Sequence, residues 1–430
     1  MKMKRKALQK GYRAVFFFLA VILVAGVAAA RADDQQFKLK PGARGQICLG
    51  CHVDMKEKLK EPFVHTPVKQ GNCAGCHNPH ASSHDKMLSA DLDKICSTCH
   101  GTMIPDNAQS VHKAVAMGNC TKCHDPHASK NKFNLVRQGK ALCFGCHKEM
   151  GEAIGKAQFK HPPVENDCTS CHNPHASSNA KHLLVQAVPS LCLKCHNTKV
   201  PTFMNLHMKY PVEKGDCTSC HNVHGSSKGA LLYANAHVPV ANRMCSQCHE
   251  DPTSPTPFKT KRQGYELCRQ CHSDLINAIF SKNIVHWAVV GKKGCISCHS
   301  PHGSPQPKLL RGTLPEVCGK CHADTLERQQ KSPTKHPPVQ EGNCTVCHSP
   351  HSSDFEYLTK YPVIELCGQC HNWKAHSTHP LGDKAVDKRN SNLRVTCLSC
   401  HRSHGTEFDK LIPFKTSTDL CVQCHKAEAR

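Results

Sequence analysis

All thirty-two cysteines of this chain stand in C-x-x-C pairs, and a histidine follows every pair directly. The pairs are Cys48 and Cys51, Cys73 and Cys76, Cys96 and Cys99, Cys120 and Cys123, Cys143 and Cys146, Cys168 and Cys171, Cys192 and Cys195, and Cys217 and Cys220. They continue with Cys245 and Cys248, Cys268 and Cys271, Cys295 and Cys298, Cys318 and Cys321, Cys344 and Cys347, Cys367 and Cys370, Cys397 and Cys400, and Cys421 and Cys424. The histidines are His52, His77, His100, His124, His147, His172, His196, His221, His249, His272, His299, His322, His348, His371, His401 and His425. Residues three apart on a helical turn share a face, so two thiols reach the two vinyl groups along one porphyrin edge. The next residue then brings an imidazole under the iron as proximal ligand. C-x-x-C-H is the attachment signature of c-type haem. One such motif alone could be half a zinc site or a dithiol redox centre. Zinc takes its ligands in sets of four, which gives no reason for a histidine after every second cysteine. Cysteine density in an exported chain suggests a disulfide scaffold, but this spacing argues against one. The prediction is sixteen covalent haem c groups.

Seven motifs carry another histidine three residues on, as in GNCTKCHDPHAS at 118–129: His80, His127, His175, His224, His302, His351 and His404. Six of these seven motifs are also preceded at short range by a histidine: His65, His112, His161, His207, His286 and His336. Ahead of Cys397 the candidates are His376 and His379, at longer range. A chain cannot round a porphyrin edge in three residues, so His127 should ligate an iron other than that of His124. The gap from the extra histidine to the next motif is sixteen or seventeen residues in six of seven copies. The expected register therefore has each extra histidine capping the following haem, and the upstream histidine capping the haem of its own repeat. The reverse assignment stays open. Sixteen of the thirty-four histidines belong to binding motifs, so eighteen are spare, two more than sixteen distal positions need. His84, His182, His237 and one of His376 and His379 compete for the sites left at Cys48 and Cys268. For isolated residues such as His84 and His182, a surface imidazole is the better reading.

The elements that position these ligands must be short. Successive motifs start 23 to 30 residues apart, too little chain to bury a core, and units this small need a metal or crosslink. The expected fold is a haem-packed array of mostly loops and short α-helices with little β, repeating with a period near 48 residues. Two modules are expected: nine haems over 33–250 and seven over 264–430, joined by a linker at 251–263 rich in proline, threonine and lysine. One continuous array is the alternative. Residues 1–32 read as a signal peptide, with basic residues from Lys2 to Arg13, an apolar run from Ala14 to Ala30, and Ala30-Arg31-Ala32 before the expected cut. An uncleaved anchor is the alternative, at the short limit for a span.

The formal net charge of +23 does not point to nucleic acid. Cleavage would remove seven basic residues, and sixteen oxidised haems would bring about as many net negative charges as then remain. No polybasic or aromatic-interleaved run marks the expected mature chain. Imidazole on both faces leaves an iron no position for a substrate. Methionine ligation would raise the potential, but Met55, Met87 and Met150 lie outside any register, so low-potential haems are expected. Neighbouring charges about 10 Å apart at an effective dielectric of roughly 20 interact by about 1.7 kcal/mol, which spreads reduction over a broad window.

The stretch CTSCHNPHASSNAKHLLVQAVPSLCLKCH, residues 168–196, resembles the doubled-C-x-x-C-H multihaem cytochromes, and the likeness runs from Cys48 to His425. The chain is similar to periplasmic decahaem conduits that thread an outer-membrane porin and serve extracellular metal reduction or dimethyl-sulfoxide respiration. It differs from them in haem number and tighter spacing. The resemblance implies an elongated haem wire with no catalysis of its own. It also implies an inner-membrane or periplasmic donor, an outer-membrane or extracellular acceptor, a porin among the partners, and a location in the periplasm, at the outer membrane or outside the cell. Two rival functions are a multihaem reductase of nitrite or hydroxylamine, which needs one open haem, and a subunit of an extracellular cytochrome filament.

Overall fold

Motif spacing leaves no room for long elements, and few form. The computed structural model describes residues 43–373 and 379–425, so the signal segment 1–32 and His376 lie outside the described residues. The longest described helix is Glu266–Phe280, fifteen residues with a break in helical geometry at His272. No described helix is long and apolar enough to cross a membrane.

Binding motifs adopt two local forms. Some are single 3-10 turns, such as Cys73–Gly75, Cys120–Lys122 and Cys344–Val346. Others sit on or at the end of short α-helices, such as Leu92–His100, Leu314–Cys318 and Val363–Gly368. In both, the histidine amide donates to the carbonyl of the first cysteine, at 3.0 Å for His124 to Cys120 and 2.9 Å for His147 to Cys143. That bond closes one helical turn around the motif and sets thiols and imidazole on a common side. The helix Ser417–Cys421 shows how such short pieces start. The Asp419 amide donates to Thr416 Oγ1 at 3.1 Å and the Thr416 amide donates to Asp419 Oδ2 at 3.2 Å, a reciprocal cap.

Among the described residues sheet is confined to two-stranded antiparallel pairs, and their connectivity is the organising feature. Phe63–Val64 pairs with Ala128–Ser129, Ser110–Val111 with Ala176–Ser177, Asn235–Ala236 with Gly303–Ser304, and Ile284–Val285 with Ser352–Ser353. Single bridges, Phe159 to Ser226 and Thr334 to Thr406, repeat the arrangement. In each case the strand leading into an upstream histidine pairs with the strand leaving an extra histidine one repeat later. The one longer pair joins Gly382–Val386 to Arg394–Val395 as a hairpin.

Each loop after a first motif turns back through two consecutive residues with positive φ. These are Lys86 and Met87, Phe133 and Asn134, His182 and Leu183, Ala230 and Leu231, Lys308 and Leu309, Tyr357 and Leu358, and Lys410 and Leu411. Positive φ at both central positions is a primed turn. A left-handed residue other than glycine costs about 1–2 kcal/mol, so something must hold these turns. Ser129 Oγ, for one, donates across its loop to the Leu135 carbonyl at 2.5 Å. The stretch 251–263, expected as a linker, holds a comparable loop, in which His249 bridges Thr260.

The chain divides into two compact units, one of residues up to 149 with 166–185, the other of 150–165 with 186–430. Neither builds an ordinary interior. Among the described residues no large side chain is fully buried, while Phe133 is 81 % and Trp287 63 % exposed. What is buried is mostly small and lies at the strand pairs, as with Ala128, Ala176, Ser177 and Ser304. A chain of this length without a polypeptide core must cover its apolar surface with something else.

Candidate haem sites

Among the described residues at least thirteen motif histidines face a second imidazole. Between ring centroids, His65 and His100 are 5.9 Å apart, His77 and His127 6.0 Å, His112 and His147 6.1 Å, His124 and His175 6.1 Å, and His161 and His196 6.0 Å. The series continues with His207 and His221 at 6.2 Å, His237 and His272 at 6.2 Å, His249 and His302 at 5.8 Å, and His286 and His322 at 6.3 Å. It closes with His299 and His351 at 6.0 Å, His336 and His371 at 5.9 Å, His348 and His404 at 6.0 Å, and His379 and His425 at 6.3 Å. Two imidazoles on opposite sides of one metal, each nitrogen about 2 Å from it, put their ring centroids roughly 6 Å apart. His249 Nε2 and His302 Nε2 point at each other, 3.5 Å apart. The imidazole pairs therefore fit a group with two axial positions. Among the described residues no three His, Cys, Asp or Glu side chains converge as a metal cluster; a facing imidazole pair beside a C-x-x-C-H motif fits a haem.

The other ring nitrogen is tied down by the backbone. Nδ1 of His77, His124, His221, His299 and His348 donates to the carbonyls of Lys86, Phe133, Ala230, Lys308 and Tyr357, at 2.7–2.9 Å. Each acceptor is the first positive-φ residue of the primed turn. Backbone strain is thus spent on aiming a carbonyl at the proximal ring, which fixes the tautomer with Nε2 free to bind metal. His172 and His401 have the same bond, to the carbonyls of His182 and Lys410 at 2.9 and 2.8 Å.

The D/N-P-H sequence now has a use for each residue. The first side chain accepts from the histidine amide, Asp125 from His127 and Asn173 from His175, both at 3.0 Å. The proline carbonyl receives Nδ1 of the preceding repeat's upstream histidine: His65 to Pro126 at 3.0 Å, and His237 to Pro301 and His286 to Pro350 at 2.9 Å. The histidine carbonyl accepts the backbone amide of that same upstream residue, His65 to His127 at 2.9 Å and His112 to His175 at 3.0 Å. Two imidazoles that face two different motif histidines are thereby fixed to one strand pair. Burial first, then the facing His249, pushes His302 down to about 4. Burial likewise lowers His127, His175, His351 and His404. Lowered values keep these rings neutral, the form that binds metal.

This register corrects the expected one. His127 does not face His147 of the following motif; His112 does, and His127 reaches back to His77 in the preceding repeat. The regular gap of sixteen residues misled because the loop doubles back at its primed turn, so chain distance there is not spatial distance. Among the described pairs, His207 alone faces the histidine of its own first motif, His221. The motif at Cys245 lacks the extra histidine, having Pro252 in its place, and no second motif stands between Cys217 and Cys245. Both partners are thereby released for each other. The spacing of 35 or 36 residues in six of these pairs, as from His65 to His100 or His286 to His322, was readable in the sequence. Of the competing histidines, His237 faces His272 of the Cys268 motif and His379 faces His425. His84 Nδ1 lies 3.3 Å from Asp91, and the His182 carbonyl serves His172. His224 is half-buried, its amide 3.4 Å from Asn222 Oδ1. Among the described residues His52 and His80 face no imidazole.

None of the thirty-two cysteines lies in a disulfide, and cysteines of neighbouring motifs adjoin. Burial, and then a first cysteine of the next motif along, pushes Cys96 (by Cys120), Cys143 (by Cys168) and Cys318 (by Cys344) up to about 11. Cys73 is raised in the same way beside Cys48. Second cysteines interact alike: burial and then Cys99 raise Cys76, burial and then Cys146 raise Cys123, and burial and then Cys321 raise Cys298. First-to-first and second-to-second contacts alternate at these motifs, whereas at the irregular repeat the second cysteine Cys220 adjoins the first cysteine Cys245.

The doubled CXXCH motif matches eight stretches: residues 65–104, 112–152, 161–201, 210–236, 237–277, 286–327, 336–376 and 391–430. The chain belongs to the doubled CXXCH motif family. It is a multihaem cytochrome c. No curated protein matches the sequence. Six of the matched stretches in this cytochrome open on an upstream histidine, so the family's repeat is the unit that closes its own second haem. The short stretch 210–236 contains one motif, Cys217, in agreement with the partner exchange at His207.

Proposed function

We propose that this cytochrome holds sixteen c-type haems and carries electrons between redox partners along a line that follows chain order, with no catalysis of its own. The observation that carries the reading is the facing imidazole pair, found at thirteen motifs. Bound haem supplies a one-electron ferric–ferrous couple. The facing pairs take both axial positions and leave none for a substrate, which favours conduction over chemistry. Contacts between the cysteines of neighbouring motifs within each unit, such as Cys96 with Cys120 and Cys318 with Cys344, support sequential transfer there.

Covalent haem attachment fits an exported chain, and the signal-like start at 1–32 supports a place in the periplasm or at the outer membrane. The donor would then be an inner-membrane or periplasmic protein and the acceptor an outer-membrane or extracellular one, with a porin among the candidates. Mass measurement of the holoprotein with spectroelectrochemical titration tests this. Sixteen haem masses and reduction spread over a broad low-potential window are expected. Fewer haems, or turnover of nitrite or hydroxylamine at an open iron, would contradict it.

A further inference from the structure

The first repeat presents an edge that every comparable repeat covers. Ala128, Ser129, Ala176, Ser177, Ser304, Ser352 and Ser353 are all at most 8 % exposed, because the strand before an upstream histidine lies against them. Ala81 and Ser82 are the equivalent residues after His80, and both are exposed. The loop itself is formed in the same way: Ser82 Oγ donates to the Leu88 carbonyl, and the His84 amide donates to Ser82 Oγ at 2.9 Å. Among the described residues no backbone amide bonds the His80 carbonyl, whereas His65 bonds that of His127.

The ligand register leaves the same place unfinished. Cys48 adjoins Cys73 as a first cysteine adjoins a first cysteine, which makes the Cys48 motif the second half of a repeat. Its distal ligand should stand about thirty-five residues ahead of His52, where the chain has Phe17, and residues 1–51 contain no histidine. His80, for its part, should cap a first motif some fifty residues earlier, where the sequence has none. His52 and His80 are both exposed.

We propose that residues 80–82 and the Cys48 haem form a docking site for an extended, histidine-bearing strand of another doubled-CXXCH chain. The inference rests on the reading that Cys48 and Cys51 hold a haem. The strand would pair with 80–82 as Phe63–Val64 pairs with Ala128–Ser129. Its histidine would then take the distal side of the iron above His52. Main-chain bonds give affinity in such strand addition, and side-chain pockets give specificity. The site is continuous with the interface by which this chain joins its own repeats, which is why a chain of the same class fits it.

The probe is the synthetic peptide EPFVHT, the chain's own residues 61–66, with EPFVAT as control. Mass analysis of the fragment containing Cys48 first shows whether its haem is present; absence overturns the sixteen-haem reading and this one with it. With haem present, electron paramagnetic resonance of the intact oxidised protein should show one high-spin iron that disappears in the double variant Cys48→Ala/Cys51→Ala. EPFVHT should convert it to low spin with at least about tenfold higher affinity than free imidazole, since the strand adds main-chain bonds, and EPFVAT should not. Equal affinity of EPFVHT and imidazole would mean an open iron without a strand site, and overturns the proposal. A fully low-spin parent in which His80→Ala creates a high-spin iron would show that His80 closes the site within the chain, and also overturns it.

Discussion

His127 joins more partners than its place three residues after a motif histidine suggests. Its ring faces His77, its amide bonds Asp125, and its carbonyl holds His65. His127→Ala should therefore open the iron above His77 and no other, with one haem turning high-spin by paramagnetic resonance while the absorption of the rest stays unchanged. A high-spin signal assigned to the haem at His147 would restore the rejected register. Asp125 adds a pH-dependent contribution. Burial opposes ionisation, but the Lys58 ammonium and the amides of His127 and Ala128 outweigh it and hold the carboxyl below its usual range. A carboxyl depressed on folding contributes stability that is complete above its ordinary value and is lost as pH falls through the folded one. Asp125→Asn keeps the turn, as Asn78 and Asn173 do, and loses only the ion pair with Lys58. The expected cost at neutral pH is at most about 1 kcal/mol, since both partners are partly exposed. The gap between parent and variant should begin to shrink as pH falls below about 4 and close below the depressed folded value in denaturant titrations; a gap that widens there would contradict this account.

At the scale of elements, the primed turns and two-residue strands do the positioning, and they are what the sequence hid. The covalent sites were legible because C-x-x-C-H is contiguous and its spacing matches one porphyrin edge. Which imidazole meets which was not legible, because it depends on strand pairs as short as Phe63–Val64 with Ala128–Ser129, too brief for an alternation pattern. The turns were equally mute: Lys308-Leu309 or Tyr357-Leu358 at positive φ contain neither glycine nor asparagine, the usual signals. The bond from His299 Nδ1 to the Lys308 carbonyl at 2.8 Å explains why such strain is kept. A glycine there removes the left-handed cost of about 1–2 kcal/mol, less some gain in unfolded-state freedom. Lys308→Gly should thus raise the melting temperature slightly. Lys308→Val should lower stability by about 1 kcal/mol or more, because a β-branched residue is a true outlier at positive φ. Thermal melting of both variants checks the pair, and the opposite order would argue against a strained turn.

For the whole molecule, the expected short helices, loops and scant sheet are present, and the reason is the missing interior. With no large side chain fully buried among the described residues, chain produced without haem attachment should lack a cooperative unfolding transition and exchange its amides rapidly. A cooperative melt of that material would show that the polypeptide folds by itself. The irregular fourth repeat was also present in the sequence, as a motif at Cys217 without a second half, but its meaning needed the facing of His207 and His221. Loss of one motif and loss of one extra histidine offset each other, so the run of paired imidazoles continues through the defect.

The most direct test is anomalous diffraction at the iron absorption edge from crystals of the holoprotein. One iron should lie midway between the rings of each of the thirteen facing pairs, His77 with His127 and His112 with His147 among them, and successive irons should follow the order of the motifs in the chain. Irons off those midpoints, or His127 bound to the iron of His147, would contradict it.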